Sequence, residues 1–408
     1  MRTIGSVLDE RKGVGPGFDF LRIALALSVL CTHSFLIAQG ERDQFGAAPF
    51  RLLHASILPL FFALSGFLIT GSAQRLSLNN FLLNRSIRIV PALMVDIVIA
   101  ALILGPIFTD LSLGAYFSAY GFRAYFSNIF GLIHFTLPGV FDTNPFPSTV
   151  NGSLWTVPFE IGCYALMSAY ICLGVLKRPF ICLCVSLAVA LYIWADSVAD
   201  FQLMKTIGLS SHIVSTMTAH YWSVQGNELY VYFLIGSMFY VFRHVIPYHG
   251  AIFCVFLVCF LAGAFDALWF IPPSVQTMIF GPILVYLLAF IGLMPVPKLP
   301  LYGRGDYSYG IYLYGYPLQQ ALVKLFPSLT SPWLHMACSV MLATGAAMLS
   351  WHCIERPILK VRKTFSFTAR KGDQGAAAPV AITWLPLDRS FRILPFDLEG
   401  GSRAPSRW

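Results

Sequence analysis

Arg22 and His33 stand eleven residues apart in a stretch that is otherwise mostly apolar. An ionisable side chain inside an apolar span is costly and is a functional candidate by default. At ~100° and ~1.5 Å per residue, this spacing puts both on nearly one helix face, roughly 16 Å apart along the axis. One stripe then carries a fixed cation near a mouth and a titratable imidazole deep inside, suited to general-base work. The plainer reading is a snorkelling arginine and a hydrogen-bonded core histidine. Arg85 and Arg88, in Arg-Ser-Ile-Arg, share a helix face. Guanidinium forks suit phosphate, although such a pair can also be a simple membrane anchor.

Three further blocks stand out. Asn151-Gly152-Ser153-Leu154-Trp155-Thr156-Val157-Pro158-Phe159-Glu160 offers caps for a helix start and a carboxylate about two turns inside. If that span enters from the side opposite Arg22, Glu160 and His33 come to similar depth, and Glu160 can orient the imidazole. Ser65-Gly66 permits close approach of a backbone or ligand. The run Asp306 to Pro317 holds five tyrosines, among them Tyr309 and Tyr312, which can turn hydroxyls toward a polar cavity or form an interfacial belt. Ile354-Glu355-Arg356-Pro357 suggests a local ion pair closing the bundle. Asp96 and Asp266 also fall inside apolar stretches, without a chemistry attached to either.

The elements that must position these residues follow from composition. Of 408 residues, 57% are apolar and 11% charged. The 27 basic and 19 acidic residues cannot solvate the surface of soluble domains of that size. Disorder, collagen and coiled coil need polarity, a glycine period or heptads that are missing here. What remains is an all-α polytopic bundle embedded in a lipid bilayer. Helices of about 20 residues, enough for ~30 Å of hydrocarbon, are expected near 18–38, 52–71, 89–108, 154–174, 179–195, 228–242, 251–270, 276–294, 307–326 and 333–353, about ten in all. The broken aromatic stretch 113–141 reads as interfacial or re-entrant, and 201–222 is ambiguous. With the N-terminus inside, most Lys and Arg fall in inner loops, so both termini are expected in the cytoplasm of an inner-membrane, multi-pass protein.

The net charge of +8 therefore reports orientation. No phosphate loop, zinc-finger spacing or RNA-binding motif accompanies it, so no nucleic acid is expected. The nine cysteines sit almost entirely in apolar stretches without a CxxC and read as buried small hydrophobes, with no metal site. No cleavage site follows the first apolar segment. Residues 1–17 are expected as a cytoplasmic N-terminal segment, 18–360 as the membrane domain and 361–408 as a polar, disordered cytoplasmic tail.

Taken in order, these motifs resemble membrane acyltransferase family 3, the integral-membrane O-acyltransferases that act on carbohydrates. The resemblance rests on Arg22 with His33, Phe61 to Phe67, Arg85 to Pro91, Asn151 to Glu160, Ser308 to Pro317 and Ile354 to Pro357, and covers about 17–360. It implies a cytoplasmic acyl-coenzyme A donor, used as a substrate with no bound cofactor, and an acceptor hydroxyl, usually on a sugar or polysaccharide, often across the membrane. Two departures stand out. Gly315 occupies a position where members often carry histidine, and the tail after 363 is too short for the esterase-like domain that some members carry.

Acyl transfer from a thioester to a hydroxyl needs a base, an oxyanion stabiliser and a grip on coenzyme A. His33 is the expected base, with Glu160 orienting it. Arg22, Arg85 and Arg88 are the expected donor grip. Ser65, Asn151, Ser153, Trp155, Tyr309 and Tyr312 are the expected substrate-facing groups. Direct transfer and a covalent acyl intermediate both stay open. The rival is a transporter or flippase that uses His33 and Glu160 as a proton relay. Oligomeric state has no signature in the sequence.

Overall fold

The computed structural model describes residues 1–13, 15–40, 45, 47–198, 224–267, 273–296 and 305–365. Ten of the described helices run to 15 residues or more. They are α1 Pro16–Gln39, α2 Phe50–Ala73, α3 Leu78–Ile99, α4 Val157–Cys172 and α5 Pro179–Val198, then α6 Val224–Val241, α7 Gly250–Ala264, α8 Pro273–Leu293, α9 Ser308–Leu325 and α10 Pro332–Ser350. No strand is present among the described residues, which contain two isolated bridges. The described residues are thus all-helical, in line with the all-α expectation.

Among the described residues, four helices are long and apolar enough to cross a membrane: Pro16–Gln39, Phe50–Ala73, Leu78–Phe108 and Pro332–Lys360. Pro179–Ile193, Gly250–Ala264 and Ile279–Leu293 are apolar but shorter. Leu102, Val258, Met341 and Leu349 stand exposed, as side chains that face hydrocarbon do. The stretch 201–222 and the tail 366–408 lie outside the described residues, while the helix Arg356–Phe365 runs past the expected tail boundary at 361.

Three local features place the site. First, α3 begins at Leu78, not near 89. Ser77 caps it by accepting from the Asn80 amide, so Arg85 and Arg88 lie two turns or more inside the helix rather than at its entry. A π-helical segment, Ala100–Leu104, continues α3 to Phe108. The buried Tyr116 hydroxyl donates to the Ala101 carbonyl there, 2.7 Å away. Tyr116 belongs to the first of two short helices, Leu113–Ser118 and Tyr120–Tyr125, so this region folds back onto α3 and makes no long span.

Second, α2 and α6 touch backbone to backbone. A Cβ on Gly66 would lie 2.0 Å from the Phe233 carbonyl oxygen, and one on Gly236 would lie 2.0 Å from that of Ala63. Glycine at both positions permits this approach, the small-residue packing that apolar helices use where lipid gives no hydrophobic drive.

Third, the segment before α4 is already inside the bundle. Asn151 is fully buried. Its side chain donates to Asp96 Oδ2 at 2.8 Å and to the Leu313 carbonyl at 3.0 Å, and it accepts from the Ser153 amide. A 3-10 segment, Gly152–Thr156, leads from this clasp into α4. The N-terminal segment also packs. The helix Ile4–Glu10 buries Ile4, Val7 and Leu8, and Tyr248 donates its backbone N–H to the Arg2 carbonyl.

Candidate active site

Two cavities lie back to back in the bundle. The first, of about 850 Å³, is lined by Arg22 of α1, Ser65 of α2, Arg85 and Arg88 of α3, Glu160 and Tyr164 of α4, and Tyr309 and Tyr312 of α9. The second, of about 1160 Å³, is lined by His33 of α1, His54 of α2, Trp155 and Tyr316, with Phe45, Phe135 and Phe146 among its aromatic walls. The wall between them is thin. Tyr312 lines one cavity and Tyr316, a turn further along α9, lines the other. Trp155 and Thr156 divide in the same way, as do His54 and Leu58. Tyr312 seals this wall through its hydroxyl, 2.9 Å from the Ser153 carbonyl and 2.6 Å from Thr156 Oγ1, while its ring meets Phe61 edge-on at 6.1 Å.

The arginines are organised by a residue that the sequence reading left out of the site. Asp306 Oδ2 accepts from Arg88 at 2.8 Å and from Arg22 at 3.3 Å, and Oδ1 accepts from Ser308 Oγ at 2.6 Å. Burial alone would raise the Asp306 carboxyl, but Arg88 and Arg22 outweigh it and hold it well below the usual carboxylate range. Asp306 is 284 residues from Arg22, so spacing could not pair them. The available signal was a lone carboxylate heading a tyrosine-rich run. Arg85 is the guanidinium with spare capacity. Its Nε is buried without a hydrogen-bond partner, and its head lies 5.9 Å from the centre of the Tyr164 ring.

Glu160 and His33 do not come together. Glu160 accepts a short hydrogen bond from the Tyr164 hydroxyl and lines the arginine cavity. The physical reason is the buried start of the Asn151–Thr156 segment. Glu160 lies four residues past Thr156, about 6 Å further toward the arginine end, whereas the expected equal depth assumed that the span entered at the surface. The partner of His33 is instead Tyr316, whose ring meets the imidazole edge-on at 4.9 Å.

The remaining expected residues divide. Ser65, Tyr309 and Tyr312 line the arginine cavity, and Trp155 lines the His33 cavity. The Tyr309 hydroxyl is buried without a partner. Asn151 and Ser153 line neither cavity. Asn151 clasps α3 and α9 as described above, and Ser153 offers its carbonyl to Tyr312. Gly315 packs against α1, where a Cβ would lie 2.9 Å from Leu30 Cδ1. Its departure from the family pattern therefore sits at a helix contact. Glu355 does not pair with Arg356. It is buried and accepts from Ser350 Oγ at 3.1 Å, and Ser350 in turn meets the Tyr314 hydroxyl at 2.7 Å. Asp266 pairs with Arg51 at 2.6 Å, tying the start of α2 to the turn after α7. Among the described residues no cluster of His, Cys, Asp or Glu could hold a metal ion.

Comparison with known proteins bears on what the two cavities do. A family model described as an acyltransferase domain matches residues 16–352. The chain is 25% identical over 360 residues to an O-acetyl transferase of Shigella phage Sf6, covering 84% of this chain and 95% of that protein. It is 26% identical over 391 residues to Nodulation protein 10 of Rhizobium leguminosarum bv. viciae, covering 90% of this chain and 99% of that protein. No solved structure matches it.

Proposed function

This chain belongs to the acyltransferase family whose model spans residues 16–352, and from that premise we propose that it moves an acetyl group from acetyl-coenzyme A to a hydroxyl of a sugar or polysaccharide. The donor enters at the arginine end, on the cytoplasmic side of the inner membrane, and the acceptor sits in the His33 cavity on the far side. The observation that carries this reading is the pair of cavities sharing a wall one helical turn deep, arginines on one side and the imidazole on the other. The phage relative, an O-acetyl transferase, supports acetyl as the group transferred.

The chemistry follows from the placement. Arg22, Arg85 and Arg88 hold phosphate oxygens of the donor, because guanidinium forks match them bidentately. The pantetheine arm runs past Ser65 toward Tyr312, bringing the thioester carbonyl to the wall. His33 takes the proton of the acceptor hydroxyl as its oxygen bonds to the carbonyl carbon. The tetrahedral oxyanion that forms is stabilised by the hydroxyl of Tyr309, which lines the arginine cavity and has its proton uncommitted. The carbon–sulfur bond then breaks, and the leaving thiolate takes the proton from the imidazolium. The acyl group crosses while coenzyme A stays on the arginine side. Glu160 balances the arginine charge and holds Tyr164, and it takes no part in orienting His33.

The test is transfer of labelled acetyl from acetyl-coenzyme A to extracytoplasmic glycan in membranes containing the wild type or His33→Ala. Full incorporation by folded His33→Ala would remove the histidine from the mechanism. Mass spectrometry of glycans from a deletion strain and its parent should show a difference of one acetyl group on the acceptor.

A further inference from the structure

One cation near the arginine cavity has no role in the scheme above. Arg75 follows the end of α2 and stands exposed, and it has no ion pair among the described residues. It lines a third cleft, of about 640 Å³, together with Ser72, Arg22, Arg85 and Arg88. Arg22, Leu68, Arg85 and Arg88 line both this cleft and the arginine cavity, so they form the neck between the two. Ser65, Leu68, Ser72 and Arg75 recur at helical spacing, which makes one face of α2 a track from the inner cavity out to Arg75. The ten residues from Ser65 to Arg75 span about 15 Å, and the seven from Leu68 at the neck span about 10 Å.

A cleft lined by all four guanidinium groups, with Arg75 a further distance of about 10 Å along α2 from Leu68, has cationic surface for more than one phosphate group. It suits a ligand with two separated phosphate groups. In coenzyme A the order is fixed by covalent structure: thioester, pantetheine, diphosphate, then adenosine with its 3′-phosphate. A thioester directed to the inner cavity places the diphosphate at the neck and the 3′-phosphate further out. We propose that Arg75 and the outer cleft form a subsite for the 3′-phosphate, so that the donor is selected as a full coenzyme A thioester over carriers ending at the diphosphate or at phosphopantetheine. The inference rests on the proposed acyl-coenzyme A donor. A phosphate-bearing lipid headgroup shares the same chemistry, so the test separates the two sources.

The experiment measures binding, which needs neither an acceptor nor turnover. Purified full-length protein in phosphatidylcholine nanodiscs is titrated calorimetrically with coenzyme A and with 3′-dephospho-coenzyme A. The wild type should bind coenzyme A about tenfold more tightly, one charge-assisted contact being worth that much. Arg75→Gln should bring coenzyme A down to the affinity of the dephospho form and leave the latter unchanged, and Arg75→Lys should restore part of the difference. Equal affinities in the wild type would overturn the subsite. So would an Arg75→Gln effect equal on both ligands, or one that appears only when anionic phospholipid is added to the discs. Tight, discriminating binding without any acetyl transfer would instead count against the proposed function while leaving the subsite standing.

Discussion

At the residue scale, the largest change concerns which carboxylate partners which cation. Glu160 was expected beside His33, and Asp306 had no assignment. In the structure Asp306 gathers Arg22 and Arg88, while Glu160 sits with Tyr164. Two predictions belong here. Arg85→Ala and Arg88→Ala should raise the concentration of acetyl-coenzyme A needed for half-maximal transfer by tenfold or more. Donor saturation unchanged in both would sink the arginine grip. Asp306→Asn removes two charge-assisted bonds and should lower stability by about 1.5–3 kcal/mol. Because the folded carboxyl lies below its unfolded value, its stabilisation is complete above about pH 4. It is lost as pH falls through the folded value. Thermal midpoints of wild type and Asp306→Asn in detergent should therefore differ at neutral pH and converge under strong acid.

At the element scale, the non-helical entry to α4 decides how deep each cavity reaches. Asn151 holds that entry by spanning from Asp96 on α3 to the Leu313 carbonyl on α9. Asn151→Leu leaves a buried carboxyl of Asp96 without this donor, a loss on the order of 1–3 kcal/mol. A drop in thermal midpoint with loss of transfer is expected, and unchanged values for both would show that the clasp does not set the wall. Close approach of α2 and α6 gives a second test. Gly66→Val cannot fit against the Phe233 carbonyl without separating the helices. It should yield less folded protein by size-exclusion chromatography, whereas Gly114→Ala, which meets no atom within 4 Å, should behave as wild type.

At the scale of the whole molecule, charge and cavity placement agree. Arg75, Arg85, Arg88 and Lys177 belong to one end of the bundle, and Arg51 and Lys324 belong to the end of the His33 cavity. The positive-inside rule leads us to expect the arginine end in the cytoplasm, as the proposed direction of transfer requires. In a variant whose native cysteines are replaced by serine, a cysteine at Ala47 should react with an impermeant thiol reagent added to intact cells. A cysteine at Ser77 should react only after membrane rupture. The reverse pattern would overturn the orientation and with it the direction of transfer.

Composition alone determined the class of this protein. With 57% apolar residues and 11% charged, a lipid-embedded protein follows, and apolar stretches of about 20 residues make its spans helices. Motif order also picked out Arg22, His33, Arg85 and Arg88, because a charge in an apolar span is conspicuous in one dimension. Depth was not legible in the same way. Helical rise from a surface entry would put Glu160 level with His33, but the polar clasp of Asn151 draws that entry inside. Pairings across long separations, such as Asp306 with Arg22 and Arg88, depend on which helices pack together. So does the placement of Arg75 beside the neck of the arginine cavity. Helical periodicity fixes a face and a rise within one element, whereas the height and neighbours of that element are set by close contacts such as Gly66 on Phe233 and Gly315 on Leu30. Only the tertiary structure decides those, because they arise from shape fitting between segments far apart in the chain.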